Sequence, residues 1–102
     1  MTIYNKLVRD RIPAMIRAQG ETPNIRILEQ EEYLHHLEQK LDEEVAEYHR
    51  DKNPEELADI LEVIYALAEG IGCSKEELQA VYEKKHGDRG GFRDRVFLIS
   101  KE

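Results

Sequence analysis

Between Glu31 and Arg50 the apolar positions Leu34, Leu37, Leu41, Val45 and Tyr48 recur at spacings of three and four. That period puts them on one stripe of a helix with a polar back. A second pattern follows almost at once. Asn53 is a good N-cap, Pro54 suits a first helical position, and Glu56 lies three residues after the cap, so a helix is predicted to start there. It runs to about Glu69, ends at Gly70 or Gly72, and is apolar nearly all round through Leu57, Ala58, Ile60, Leu61, Val63, Ile64, Tyr65, Ala66, Leu67 and Ala68. Such a helix is expected to be buried on several sides. Its polar exceptions, Glu56, Asp59 and Glu62, step by three and form one narrow acidic stripe.

The flanks carry weaker patterns. Pro13 to Gln19 reads as a short helix closed by Gly20, and Ser74-Lys75-Glu76-Glu77 is a capping box that opens a helix closed at His86-Gly87. Asn24-Ile25-Arg26-Ile27-Leu28 is a candidate strand, with Val96-Phe97-Leu98-Ile99 as its candidate partner. The predicted architecture is therefore mainly α: one domain over residues 1–102, an antiparallel bundle of about four helices, with a short β pairing near residues 24–28 and 95–99. A chain of 102 residues builds only a modest core, which self-association would reinforce.

Composition narrows the function classes. A formal charge of −7 disfavours a general binder of nucleic-acid polymers, which needs clustered Lys and Arg. Nucleotides stay open, because a divalent cation can join acidic side chains to a polyphosphate. Cys73 is the single cysteine, so neither a disulfide framework nor a thiolate metal cluster is expected, and a buried small hydrophobe is its predicted role. The N-terminus MTIYNKLVRDR lacks the apolar stretch of a signal peptide, and no apolar run reaches membrane-spanning length, so a cytoplasmic protein off the membrane is expected.

Two acidic groups carry the chemistry: Glu43-Glu44-x-x-Glu47 and Glu56-x-x-Asp59. At roughly 100° per residue, Glu44 lies about 60° from the centre of the apolar stripe, Glu47 about 120°, and Glu43 almost opposite it. Glu43 is thus expected at the surface or behind the ligands. The connection Asp51-Lys52-Asn53 is short enough to force an antiparallel hairpin in which Glu47 faces Glu56 and Glu44 faces Asp59. Four carboxylates on one patch repel unless a cation joins them, and an all-oxygen set without Cys or His selects Mg²⁺, Mn²⁺ or Ca²⁺, with Mg²⁺ the physiological choice. The plainer alternative assigns Glu56 to capping, the Glu43 to Glu47 run to a solvated face and Glu62 to the helix surface. Asp59 resists it most, as a poor helix former that interrupts an apolar face with no cation beside it on the same helix.

These groups resemble the motif pair E-E-x-x-E and E-x-x-D of the all-α nucleoside triphosphate pyrophosphohydrolase superfamily. The block Tyr4-Asn5-Lys6-Leu7-Val8-Arg9-Asp10-Arg11-Ile12-Pro13 and the Lys40-Leu41-Asp42-Glu43-Glu44 context are similar to its MazG-like and phosphoribosyl-ATP pyrophosphohydrolase-like branch. The resemblance implies Mg²⁺-dependent cleavage of a nucleoside triphosphate, or a related nucleotide such as phosphoribosyl-ATP, to the monophosphate and pyrophosphate, with nucleotide-pool house-cleaning as one role. It implies Glu44, Glu47, Glu56 and Asp59 as metal ligands that act through an activated water, Mn²⁺ as a substitute ion, and a homodimer or larger homo-oligomer. Glu43 and Glu62 are supporting candidates.

Cationic residues that could meet phosphates are Lys6, Arg9 and Arg11, and Lys84, Lys85 and Arg89 in the basic glycine-rich turn Lys84 to Phe92. Arg9, Lys85 and Arg89 are favoured. His35, His36 and His49 are expected at the surface, and the one Glu-x-x-His, Glu32 to His35, falls short of the two that a di-iron bundle needs. The rival class is a noncatalytic helical dimerisation or regulatory module that retains the fold.

Overall fold

A computed structural model describes residues 1–102. It is mainly α, with helices α1 (Ile12–Ala18), α2 (Gln30–Asp51), α3 (Pro54–Gly70) and α4 (Lys75–Arg89) and no strand. No helix is long and apolar enough to cross a membrane.

The hairpin forms as the spacing requires. Lys52 takes a left-handed conformation at φ 48°, and its N–H donates to the Tyr48 carbonyl at 2.8 Å, ending α2 in one residue. Asn53 Oδ1 then accepts from the Glu56 N–H at 3.0 Å and starts α3, with Pro54 behind it. With only Lys52 and Asn53 between them, α2 and α3 pack side by side, and α4 packs on α3. The α2 stripe faces inward, with Leu37 buried and its apolar neighbours half-buried. Gly70 lies so close to Leu34 that a Cβ there would collide with the Leu34 side chain, which fixes the open end of the hairpin.

Three expectations are corrected. Asn24 to Leu28 and Val96 to Ile99 form no β pairing: Ile27, Val96, Phe97 and Ile99 stand in solvent, and the first segment is tied instead by Arg26, whose guanidinium grips Glu32 with two hydrogen bonds at 3.1 and 2.6 Å. Alternating β-branched residues make a strand only when a partner backbone is within reach. The fourth helix does not stop at His86-Gly87 but continues to Arg89, held by a Lys84–Asp88 ion pair at 2.9 Å, so the expected basic turn is mostly helix and only Gly90, at φ 77°, breaks it. Cys73 is half-buried, with its Sγ near the Ser74 carbonyl.

The all-round apolar α3 is covered by α2 on one side only along most of its length. Val63 and Ala68 are buried, but Leu57 and Leu61 are each about half exposed. Only four residues of the chain are buried, and its surface is 9449 Å², against about 6,000 Å² for a compact monomer of this mass. The radius of gyration, 17.9 Å, likewise exceeds the roughly 13 Å of a closed domain of this length.

Candidate metal centre

The hairpin brings Glu44, Glu47, Glu56 and Asp59 together: one carboxylate oxygen from each lies within 4.8 Å of all the others. Two turns of α2 and two of α3 supply the set, Glu47 with Glu56 and Glu44 with Asp59 mirroring each other in number about a centre between Asp51 and Lys52.

Glu44 is the inner member, only 7% exposed, and its Oε2 is buried without a hydrogen-bond partner. Glu56 Oε2 is likewise buried and unpartnered. Buried carboxylate oxygens without partners are costly, so these two atoms fit a cation that neighbouring side chains do not supply. The helix cap explains the Glu56 backbone N–H but leaves its carboxylate unexplained. The acidic cluster could therefore hold a metal ion.

The electrostatics follow from this crowding. Burial pushes the Glu44 carboxyl above its ordinary range, as do the adjacent Glu47 carboxylate and the charge of Asp59, while Lys40 opposes. Glu56 is raised too, by lost solvation first, then by Glu47, Asp51 and Asp59. A carboxyl whose folded value is raised holds more protons folded than unfolded, so its contribution to stability falls as pH rises from the ordinary Glu range through the raised value. A cation must replace those protons. Stabilisation of the protein by Mn²⁺ or Mg²⁺ should accordingly grow as pH rises above the ordinary Glu range, reaching about 10 °C in Tm at a hundredfold excess over Kd. A metal-induced shift that stays flat across this pH range, measured by differential scanning fluorimetry, would contradict the proton-for-metal exchange.

Cations ring the cluster from outside. Lys40 Nζ lies 3.6 Å from Glu44 Oε1 and 3.5 Å from Glu43 Oε2, and Lys6 Nζ lies 3.6 Å from Glu43 Oε1. Glu43, half-buried, is thus tied to Lys40 and Lys6 and is not one of the four converging carboxylates. Arg9 Nη2 donates to Asp59 Oδ1 at 2.6 Å. Lys40 was missed as a functional candidate although its i,i+3 and i,i+4 spacing to Glu43 and Glu44 carried the signal.

Other candidates stay apart. Glu62 is exposed and outside the cluster; the Tyr33 hydroxyl is pushed up in pKa by burial first and then by the charges of Asp10, Glu69 and Glu62. Lys85 and Arg89 are exposed on the last turns of α4 and form no ion pair with the quartet. His35 and His49 are exposed and His36 half-buried, none of them in the cluster.

No protein-family model and no solved structure matches the chain. A protein of Mycolicibacterium smegmatis, described as uncharacterized, is 64% identical over 42 residues, which are 41% of this chain. The match spans 43% of that relative's length.

Proposed function

We propose that the chain is a Mg²⁺-dependent nucleotide pyrophosphohydrolase, with Mn²⁺ able to substitute, that cleaves a nucleoside triphosphate or a related nucleotide to the monophosphate and pyrophosphate. The observation that carries this reading is the convergence of four carboxylates, two of which, Glu44 and Glu56, keep a buried oxygen without a partner. An all-oxygen donor set suits a hard cation, and the motif resemblance supplies the class of substrate.

In this reading Glu44, Glu47, Glu56 and Asp59 hold the ion, which when bound supplies Lewis-acid stabilisation of phosphate charge and activation of water. The chain's own part is positional. α2 and α3 fix the four oxygens on rigid helices, Lys40 holds Glu43 and Glu44 in place, and the acidic patch repels a bare polyphosphate so that only its cation complex docks. A homodimer or larger homo-oligomer in the cytoplasm is part of the proposal, since the open face of α3 asks for a second copy.

The test is pyrophosphate release from ordinary and modified nucleoside triphosphates and phosphoribosyl-ATP, with Mg²⁺, Mn²⁺ or EDTA. Release that needs the metal and stops with EDTA is expected. Silence across the panel in a folded, metal-loaded sample would favour the noncatalytic dimerisation or regulatory module, which the open α3 face also suits.

A further inference from the structure

The segment before α1 has neither helix nor strand, and α1 itself packs on no other helix, yet the segment reaches both helices that carry the carboxylate cluster. Lys6 pairs with Glu43 of α2, and three residues on Arg9 pairs with Asp59 of α3. The arm thus straddles both helices that furnish the quartet. Asp59 has no cationic partner on its own helix, and the one it finds comes from 50 residues away.

We propose that Arg9 is a resident cation of the cluster that exchanges partners: it neutralises Asp59 in the metal-free protein and turns to the phosphate oxygens of an anionic ligand once a divalent ion is bound. The inference rests on the metal reading above. One Arg9 nitrogen is engaged, the side chain is 55% exposed, and the remaining guanidinium donors are free for a planar, two-pronged contact with phosphate. A fixed positive charge on Asp59 opposes entry of a second cation, so Arg9 and the metal compete in the absence of ligand. A polyphosphate attracts both, and competition becomes cooperation. The same side chain therefore acts with opposite signs on the two binding steps.

That sign change is the test. Mn²⁺ binding is measured by titration calorimetry or electron paramagnetic resonance, and inorganic pyrophosphate binding is then measured on the Mn²⁺-loaded protein. Arg9→Gln is expected to bind Mn²⁺ about two- to fivefold more tightly, the range opened by losing an exposed ion pair, and to bind pyrophosphate about tenfold or more weakly. Arg9→Lys should keep Mn²⁺ affinity near wild type while still weakening pyrophosphate, because the charge remains and the fork is lost. Lys6→Gln, which removes a charge from Glu43 rather than from a quartet member, should change Mn²⁺ affinity less than Arg9→Gln. Unchanged or weaker Mn²⁺ binding in Arg9→Gln, or an equal gain in Lys6→Gln, overturns the exchange while leaving the metal site standing. A wild-type protein that binds no Mn²⁺ overturns both.

Discussion

On the proposed ligand role, Glu47→Gln is expected to lose the proposed metal-dependent pyrophosphate release by more than about 100-fold, because a direct ligand should cost more than the 10- to 100-fold typical of an outer-shell partner. Asp59→Asn should behave alike. Both changes keep side-chain volume, and both residues are only half-buried, so the helical circular dichroism should match wild type. Glu47 is the cleaner case. Its charge raises both Glu44 and Glu56, so removing it relieves repulsion inside the cluster. The metal-free Glu47→Gln protein should therefore melt no lower than wild type, while its Mn²⁺-induced rise in Tm shrinks or vanishes. Asp59→Asn also gives up the Arg9 ion pair, which as an exposed contact is worth about 1 kcal/mol or less. Turnover near wild type in either variant would remove that residue from the ligand set.

The helices and the quartet were legible because local rules and tertiary packing point the same way. A three-four stripe, a capping asparagine and a connection of only a few residues fix the hairpin, and a hairpin with so short a turn places Glu47 near Glu56 and Glu44 near Asp59. The misplaced elements had no such agreement. Val96 to Ile99 has the composition of a strand, but composition does not provide a neighbouring backbone. Gly87 reads as a stop, yet a single glycine costs a helix only about 1 kcal/mol, and the capping box at Ser74 with the Lys84–Asp88 pair carries α4 past it. The Arg9–Asp59 contact was invisible for another reason. It depends on where an irregular arm lies, and no periodicity encodes that. Arg9 could be singled out only as a cation in a motif, and phosphate was the natural guess for its partner.

Leu61→Glu should split the proposed assembly and unfold much of what remains. Leu61 and Ile64 on α3, with Leu78 and Tyr82 on α4, line an open apolar groove of about 320 Å³. The chain exposes roughly 3,400 Å² more than a compact monomer of its mass, whereas a stable interface removes about 800 Å² from each partner. A second copy seated on the α3 face therefore has ample surface to bury, and the mutual contact would give α3 the all-round cover its sequence calls for. Wild-type protein should sediment as a dimer or larger, with a Tm that rises with protein concentration. A glutamate in the middle of that contact costs at least the 2–5 kcal/mol of a large-to-small core change, and at about 4–8 °C per kcal/mol it lowers Tm by about 10 °C or more. Because all four quartet residues come from one chain, metal binding would not need the proposed partner directly but would need the hairpin that such a partner would support. Leu61→Glu should thus lose Mn²⁺ binding in step with helicity, and excess Mn²⁺ should restore part of both. A monomeric wild-type protein, or a variant that keeps both size and Tm, would mean that another surface or another molecule covers α3.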